Sequence, residues 1–431
     1  MAPHWFGELP NGWICGRLKS LGWIINGSTP RSGEPDYWDG DVVWVTPEDL
    51  GKQQGAEILE SARHISLEGL NNCGASIVSP GAIIVSTRAP IGHLGIAKTP
   101  LCTNQGCRSI VPLSGSSSRY LYYLLFAARP ELLARGRGST FSELSSSDLG
   151  DVAIPLPPFS KQEAIADYLD EKTADLDALI EKKRKLLDLL IEERTALINQ
   201  AVTKGLDPRV PMKDSGIPWI GEIPHHWMIK RLKHIVAESI SGPYGSSLTK
   251  SMYTLSGYRV YGQQQVIPDN FSVGDYYISA EKYGEMSRYR VFAGDVLISV
   301  MGTVGRAAVV PDDAEPGIIN PRLVRYRPKS ETVDARFMQM ALLSDSCQAQ
   351  LKETAQGSTM DGLNMSILGD LRLALPPLTE QAEIIWSIRN GTDRLDQVRQ
   401  AIESQANRLQ EYRQALITAA VTGQLDLGAA A

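Results

Sequence analysis

Residues 154–169 read IPLPPFSKQEAIADYL, and residues 373–388 read LALPPLTEQAEIIWSI. In each stretch a diproline ends an extended segment and precedes a long segment in which apolar residues recur at helical spacing. Proline is tolerated in the first turn of a helix, and Ser160 and Thr379 are good capping residues, so we expect a long helix to begin at each. The sequence therefore predicts two similar long helices, each preceded by its own globular segment.

The two stretches belong to an internal repeat. GSTFSELSSSDLGDVAIPLPP from Gly138 matches GSTMDGLNMSILGDLRLALPP from Gly357, and the match continues without a gap through both helical segments. The front ends also match, because WFGELPNGWICGRLKSL from Trp5 pairs with WIGEIPHHWMIKRLKHI from Trp219. Between them the similarity is sparse, with SPGAIIVSTRAPIGHLGIA against FAGDVLISVMGTVGRAAVV and TNQGCRSIVP against INPRLVRYRP. Each half thus has similar ends and a divergent middle.

The divergent middles have the pattern of mixed α/β domains. Short runs rich in β-branched and aromatic residues, broken by Gly and Pro, predict strands at VVWVT (42–46), AIIVST (82–87), YRVYG (258–262) and DVLISV (295–300). Each middle also contains one predicted amphipathic helix, RYLYYLLFAARPELLARG (119–136) and ARFMQMALLSDSCQAQLKETA (335–355). We therefore predict an α/β fold class with two globular domains.

The segments after the prolines have heptad spacing. A mainly apolar stripe at steps of four and three, with polar breaks at matching places, runs from Leu169 to Ala201 and from Ile388 to Ala420. A helix over residues 161–203 would rise about 65 Å at about 1.5 Å per residue, and it cannot bury such a stripe alone. We expect the two helices to form an antiparallel coiled coil; the alternative is that each helix packs on its own domain. The predicted boundaries are 1–157, 158–208, 209–376 and 377–431.

Two similar but unequal domains joined by long helices suit a protein that reads two short DNA sequences at once, with the helices setting their spacing. The net charge of −6 does not favour DNA binding, so its distribution matters. Residues 151–208 carry 12 acidic against 8 basic side chains, which leaves both globular parts near neutral. The acidic total therefore does not exclude a DNA-binding face on either domain.

Several motifs resemble those of one family, the specificity subunits of type I restriction–modification enzymes. They are GSTPRSGEPDYWDGDVVWVTPEDL, STRAPIGHLGIA, TNQG, GSTFSELS, PLPPFSKQEAIADYLD and KDSGIPWIGEIPHHW, and the resemblance covers essentially the whole chain. It implies two target recognition domains, each reading one half of a bipartite, asymmetric DNA site. It also implies that the two helical regions dock two methyltransferase subunits, and through them restriction subunits. S-adenosylmethionine, ATP and Mg²⁺ would be bound by those partner subunits, with no cofactor or metal in this chain.

The residues agree with a chain that has no catalytic activity. An adenine methyltransferase of such a system would carry Asn-Pro-Pro-Phe or Asp-Pro-Pro-Tyr beside the target base, whereas PLPP and ALPP have Leu at the position of the amide or carboxylate. A Gly-rich loop for S-adenosylmethionine is also absent from the sequence. The diprolines are therefore interpreted as joints between domain and helix.

Base reading requires side chains with paired donors and acceptors on loops, and phosphate binding requires Lys, Ser and Thr. In the first domain the candidates are Thr46, Glu48, Lys52, Arg88 and Gln105. In the second domain they are Ser246, Ser247, Lys250, Gln263, Gln264, Gln265, Arg306 and Arg322. The three consecutive glutamines follow a predicted strand, so at least one is expected to face outward. Asn104 and Asn320 are interpreted as residues that fix their loops. The other interpretation of each candidate is a loop residue bonded to its own backbone.

Candidate contacts to the methyltransferase subunits lie near the start of each long helix, at Gln162, Glu163, Asp167, Gln381 and Glu383. A solvated helix face is the alternative for these five. The sequence has neither a signal peptide pattern nor a long apolar run, so we expect a cytoplasmic protein. Two other functions stay open at this point. One is a scaffold whose two domains bind proteins, and the other is a fragment of a self-sufficient restriction–modification enzyme.

Overall fold

A computed structural model describes residues 4–53, 55–136, 143–356 and 365–425, without the side chains of residues 355 and 356. The repeated segments that start at Gly138 and Gly357 begin outside these described residues. The chain divides into two compact units. Unit 1 comprises Met1–Arg184 with Glu403–Ala431, and unit 2 comprises Lys185–Ile402.

Unit 1 is a mixed α/β domain. Its strands are β1 (Ile14–Arg17), β2 (Gly22–Asn26), β3 (Trp38–Val45), β4 (Glu57–Ile58), β5 (His64–Ile65), β6 (Ile83–Ser86), β7 (Leu94–Ala97), β8 (Leu101–Thr103), β9 (Cys107–Pro112) and β10 (Ala153–Leu156). Its helices before the first diproline are α1 (Pro47–Lys52), α2 (Leu67–Asn71), α3 (Ser118–Ala127), α4 (Arg129–Arg135) and α5 (Ser146–Gly150). The first long helix, α6, spans Phe159–Lys204 and continues from unit 1 into unit 2.

Unit 2 has the same kinds of element. Its strands are β11 (Met212–Asp214), β12 (Glu222–Pro224), β13 (Met228–Arg231), β14 (Val236–Ser241), β15 (Tyr258–Tyr261), β16 (Tyr277–Ile278), β17 (Val296–Ser299), β18 (Ala307–Val309), β19 (Gly317–Ile319), β20 (Leu323–Pro328) and β21 (Arg372–Leu375). Its helices are α7 (Leu232–Ile235), α8 (Gln263–Val266), α9 (Ala280–Glu285), α10 (Ala335–Leu343), α11 (Asp345–Gln356) and α12 (Met365–Asp370). The second long helix, α13, spans Leu378–Val421 and begins in unit 2.

The sheets of the two units have matching topology. Unit 1 has a sheet of order β2-β9-β6-β7-β4, and unit 2 has one of order β14-β20-β17-β18. A smaller sheet accompanies each, of order β5-β3-β8 in unit 1 and β16-β15-β19 in unit 2, and in both the second neighbouring pair is parallel. The antiparallel pairs β1 with β10 and β13 with β21 join the start of each half to the segment before its diproline. The repeat found in the sequence is therefore a structural repeat.

The mixed α/β fold and all four predicted strands are confirmed, since they coincide with β3, β6, β15 and β17. Each predicted amphipathic helix is instead two helices. Pro130 lies in the first turn of α4 and ends the preceding helix, because proline cannot donate a backbone hydrogen bond. Ser344 has an extended backbone between α10 and α11, and its hydroxyl donates to the carbonyl of Ala341. The spacing of apolar residues did not predict either of these helix breaks.

The long helices begin directly after the prolines. Helix α6 begins at Phe159 and α13 at Leu378, so Ser160 and Thr379 lie inside the first turn and the prediction that they begin the helices is wrong by one or two residues. In α6 the predicted stripe is buried at Leu169, Thr173, Ile180, Leu190 and Ala201. In α13 it is buried at Ile388, Thr392, Ile402, Ala406, Leu416 and Ala420. The heptad interpretation is therefore supported along both helices.

Within unit 1 the two helices pack antiparallel. Asp177 accepts from the guanidinium of Arg413 at 3.0 Å, and six residues further along α6 the Lys183 ammonium donates to Gln405 at 2.8 Å. The residue number rises along α6 while that of its partner on α13 falls, so the helices run in opposite directions. Ile165 shares its apolar cluster with α3 as well as with α13, so the start of α6 also packs on its own domain. The coiled-coil prediction and its alternative each describe part of this packing.

Within unit 2 the same arrangement recurs. Ala201 and Val202, at the end of α6, belong to one apolar cluster with Ile384 and Ile388, near the start of α13. That cluster also includes the core of the adjacent domain, with Phe337 fully buried. In the part of the chain that the structure describes, none of the helices is both long and apolar enough to cross a bilayer.

Candidate nucleic-acid interface

Four loops meet at one end of the strands of unit 1. They follow β2, β3, β6 and β8, and the loop after β8 bonds the other three. The backbone amide of Ser28 donates to Thr103 at 2.8 Å, that of Asn104 donates to Val45 at 3.0 Å, and that of Thr87 donates to Gly106 at 2.8 Å. Loops fixed in this way on a rigid sheet can present side chains to a ligand without losing much backbone entropy.

Unit 2 repeats two of these three backbone bonds, and it ties the loop after β14 differently because Pro243, the counterpart of Ser28, has no amide to donate. The amide of Gly242 donates to Leu323 at 2.9 Å, that of Asn320 donates to Tyr261 at 2.8 Å, and that of Val300 donates to Arg322 at 3.0 Å. These bonds join the loops after β14, β15, β17 and β19. We call each set of four loops the loop end of its unit.

Asn104 and Asn320 fix their loops, as predicted. The side-chain oxygen of Asn104 accepts from the amide of Gly106, and that of Asn320 accepts from the amide of Arg322, both at 2.9 Å. The preceding strands approach so closely that a Cβ atom on Gly27 would lie 1.9 Å from the Asn104 carbonyl oxygen. A Cβ atom on Gly242 would lie at the same distance from the carbonyl oxygen of Asn320. Glycine is therefore required at both positions by close packing.

In unit 1, Thr46 is the N-cap residue of helix α1. Its hydroxyl donates to the Asp49 carboxylate at 2.6 Å, and its backbone amide donates to the same carboxylate at 2.8 Å, which caps α1. The hydroxyl of Thr46 is thus engaged in the cap, and its contact with DNA stays a prediction. Glu48 and Lys52 are exposed, and the Nζ atom of Lys52 lies 2.5 Å from Oε1 of Glu48. This hydrogen bond raises the pKa of Lys52.

The other two candidates of unit 1 also lie at the loop end. Arg88 follows β6, is 47% exposed and pairs with Glu143 at 3.2 Å. Gln105 is exposed, and its side-chain oxygen accepts from the hydroxyl of Thr29 in the loop after β2. The structure thus brings Glu48, Lys52, Arg88 and Gln105 to the same end of the domain.

The glutamines of unit 2 lie on the short helix α8, not on a continuing strand. Gln265 is completely buried; its side-chain oxygen accepts from the amide of Gly262 and its side-chain amide donates to Val273, both at 2.8 Å. Gln265 is therefore withdrawn as a DNA contact, because both its polar groups are committed to the backbone. Gln264 is exposed, and within the described part of the chain its amide has no hydrogen-bond partner.

A groove of about 380 Å³ marks the loop end of unit 2. It is lined by four of the predicted residues, namely Lys250, Gln263, Gln264 and Arg322. The Gln263 amide donates to the carbonyl of Met301, and its oxygen accepts from Arg322 at 3.5 Å, so Gln263 joins two loops. The groove combines cationic and amide groups, which is the chemistry that base edges and phosphates require.

Tyr253 and Tyr276 complete this groove and were not predicted. Their ring centroids lie 5.1 Å apart, and Tyr276 is 45% exposed. The signal for them in the sequence was the density of tyrosines between residues 244 and 277. Ser246 and Ser247 are exposed in the loop that leads to Lys250.

Arg306 lies in the loop after β17 and is exposed. Its backbone amide donates to the hydroxyl of Ser299 at 3.1 Å, just as the amide of His93 donates to that of Ser86 at 2.8 Å. His93 is therefore the equivalent residue of unit 1. Burial, together with the charge of Arg129, lowers the pKa of His93, so unit 1 presents a neutral imidazole where unit 2 presents a guanidinium.

Two predicted partner contacts on the long helices are corrected. The Gln162 side chain is 2% exposed, accepts from the amide of Ser117 at 3.0 Å and donates to Pro157 at 3.1 Å. Gln381 is completely buried, accepts from the amide of Asp334 at 2.8 Å and donates to Pro376 at 2.9 Å. Both amides therefore lock a diproline joint to the N-terminus of the neighbouring helix, α3 or α10, and neither can reach a partner.

Glu163 and Asp167 differ from this pair because they lie on the surface of unit 1. They hold Arg119 together with Asp170, at distances of 2.7 to 2.8 Å, and these hydrogen bonds raise the pKa of Arg119. Glu383 is exposed on α13. These three remain candidate partner contacts.

Comparison with known sequences gives the family. The sequence profile described as the type I restriction modification DNA specificity domain matches residues 10–188 and 227–411. The type I restriction enzyme MjaIX specificity subunit of Methanocaldococcus jannaschii is 36% identical over 236 residues, which is 53% of each chain. The chain thus matches about half the length of that relative. The EcoKI specificity subunit of Escherichia coli K12 is 20% identical over 97% of this chain and 90% of that subunit.

Solved structures show the same fold. A chain from a type I R-M system, solved to explain complex assembly and conformational transition, covers 97% of this chain with a TM-score of 0.73 and 17% identity. The HsdS subunit from Thermoanaerobacter tengcongensis covers the same share with a TM-score of 0.51 and 18% identity. With two profile matches that together span most of its length, this protein belongs to the type I restriction modification DNA specificity family.

Proposed function

We propose that this chain is the DNA specificity subunit of a type I restriction–modification complex, in which each unit reads one half of a bipartite, asymmetric site. One observation carries the proposal: both units build an equivalent loop end, with two backbone bonds in common, but present different side chains on it. A common frame with different contact groups is what two different half-sites require. The predicted division into residues 1–157, 158–208, 209–376 and 377–431 is retained as the functional one.

The long helices are the proposed docking sites for two methyltransferase subunits, through which restriction subunits join, and their length is proposed to set the spacing of the half-sites. Exposed apolar side chains support a partner there. Leu189 and Ile191 on α6 are 57% and 56% exposed, and Trp386 on α13 is 70% exposed. Glu163, Asp167 and Glu383 would add polar contacts at the helix starts.

Catalysis is assigned to those partners. The chain is proposed to be non-catalytic, since its diproline segments lack the amide or carboxylate of an adenine methyltransferase. S-adenosylmethionine, ATP and Mg²⁺ would then be bound by the methyltransferase and restriction subunits. A cytoplasmic location follows from the proposed work on DNA.

The alternative is a two-domain scaffold that binds proteins without reading a DNA sequence. The groove of unit 2 favours DNA, because Lys250 and Arg322 give it a positive character and Gln263 and Gln264 give it paired donors and acceptors. A protein scaffold would have no need of paired amides and cations at a loop end.

The test is co-expression of the chain with the methyltransferase subunit encoded beside it, followed by long-read methylome sequencing. We expect one asymmetric, two-part methylated motif that disappears when this chain is omitted. A stable complex that methylates nothing, or methylation that persists without the chain, would overturn the proposal in favour of a scaffold.

A further inference from the structure

Two side chains, one in each unit, occupy equivalent places at the loop ends. In unit 1 the backbone amide of Thr46 donates to the Asp49 carboxylate at 2.8 Å. In unit 2 the amide of Gly262 donates to the side-chain oxygen of Gln265 at 2.8 Å. Both bonds close the same turn directly after the equivalent strands β3 and β15. The sequences TPED and GQQQ are therefore superimposable residue by residue, although they share no residue.

A second pair of bonds confirms this equivalence. The other oxygen of Asp49 accepts from the amide of Ala62 at 2.9 Å, and the amide of Gln265 donates to the carbonyl of Val273 at 2.8 Å. In each unit the fourth residue of the turn thus ties it to the segment that returns along the domain. The third residue of the turn takes no part in these hydrogen bonds. It is Glu48 in unit 1 and Gln264 in unit 2.

These third residues face outward among other polar groups. The side chain of Glu48 is 74% exposed, and it forms an ion pair with Lys52 on the surface. Gln264 is exposed on the groove that Lys250 and Arg322 also line. Both positions therefore combine a fixed backbone with a side chain that is available to a ligand.

The two side chains differ in what they can read. A carboxylate only accepts hydrogen bonds, so in the major groove it suits the amino group of cytosine and is repelled by phosphates. A carboxamide both donates and accepts, which matches the two groups that adenine presents there. The neighbouring Lys52 offsets the charge of Glu48 near a DNA backbone.

Resting on the proposed function, we infer that Glu48 and Gln264 are equivalent specificity-determining residues, Glu48 selecting a cytosine in the half-site of unit 1 and Gln264 an adenine in the half-site of unit 2. The paired positions form one site type, used twice with different chemistry. Exchanging the two chemistries should exchange the base preference at one position of each half-site.

The experiment uses the full chain co-expressed with its methyltransferase, as wild type, Glu48→Gln and Gln264→Glu, with methylome sequencing of each. For each variant we compare methylation of the original site with methylation of sites that differ from it by one base. This ratio is expected to fall roughly tenfold or more, and only for a base change at one position of one half-site. Each variant serves as the control for the other half-site. Glu57→Gln is the matched control in unit 1, because Glu57 is an exposed carboxylate paired with Lys98 at 2.6 Å outside the loop end.

The outcomes separate the two proposals. If the wild type methylates a bipartite motif and both exchanges leave that motif unchanged, the inference fails while the proposed function stands. A change in both half-sites from one exchange, or the same change with Glu57→Gln, also overturns the inference. If the wild type methylates no bipartite motif, the proposed function itself has failed. Gel filtration with the methyltransferase verifies that each variant still assembles.

Discussion

The loop ends of the two units have two backbone hydrogen bonds in common, whereas the strands behind them differ in charge. In unit 2 the strand β20 carries Arg325 and Arg327, which bond to Asp295 and Glu238. The register of the strands gives their counterparts in unit 1 as Ser109, Val111, Ala82 and Trp23. A four-charge network thus replaces a mainly apolar set without changing the sheet order. The frame tolerates the exchange because the four charged side chains of unit 2 pair with one another.

The largest effect is expected from breaking the network that only unit 2 has. Asp295 is 1% exposed and accepts from Arg327 at 2.9 and 3.1 Å. Asp295→Asn removes the buried carboxylate that bonds Arg327 and lies 3.7 Å from the buried guanidinium of Arg325, which should lower the free energy of unfolding of unit 2 by about 3–5 kcal/mol. Hydrogen exchange of β17 and β20 in increasing urea measures this loss, and the strands of unit 1 should keep their protection.

Asp313→Asn is the control for that measurement, because Asp313 is an exposed carboxylate of the same unit. Its effect should stay within about 0.5 kcal/mol, as expected for a surface substitution. Equal effects of the two substitutions would contradict the role given to the network.

An intermediate effect is expected from a feature that the units share. Gln162→Ala and Gln381→Ala each remove a buried amide that bonds a helix N-terminus to a diproline joint. The loss should be about 1–3 kcal/mol for each buried group left unpaired, and it should be similar in both units. Faster hydrogen exchange at the start of α3 and of α10, measured on the isolated chain, checks this. Normal exchange with impaired methyltransferase binding would show a partner contact instead.

The smallest effect is expected from an ion pair repeated on both surfaces. Lys19 bonds Asp151 at 2.6 Å and Lys233 bonds Asp370 at 2.8 Å, and each hydrogen bond lowers the pKa of its aspartate below 3.8. Since the folded-state pKa is the lower one, the stabilisation is present above pH 3.8 and is lost as the pH falls through the lowered pKa. Acid titration of Lys19→Met and Lys233→Met should show this limb weakened in both variants, and less in Lys233→Met because Arg231 still bonds Asp370 at 3.1 Å. A limb that survives either substitution would assign it to other groups.

Much of the fold could be predicted from the sequence, because the two copies of the internal repeat can be compared with each other. Strand positions such as 82–87 and 295–300 follow from local composition, and the heptads follow from spacing. The helix break at Ser344 could not be predicted, because serine is compatible with a helix and only the packed neighbours decide its backbone conformation. Helix α8 could not be predicted for the same reason, because its three glutamines directly follow a predicted strand and are compatible with an extended backbone.

The candidate site was predicted at the level of loops, less well at the level of side chains. Arg88, Gln105, Gln264 and Arg322 all lie at loop ends, because polar residues directly after buried strands meet at one edge of a sheet. Gln265, Gln162 and Gln381 were misread, because a glutamine that bonds buried backbone has the same local sequence pattern as one that faces solvent. Burial depends on segments far along the chain, such as the one that contains Ser117 for Gln162.

The most direct test of the central claim, that the units read separate half-sites, replaces residues 209–370 with the same segment of another family member. The hybrid and the parent are each co-expressed with the methyltransferase subunit and compared by long-read methylome sequencing. The account predicts that one half of the methylated motif changes and that the other half is retained base for base. A hybrid that assembles with the methyltransferase but alters both halves, or neither, would contradict it.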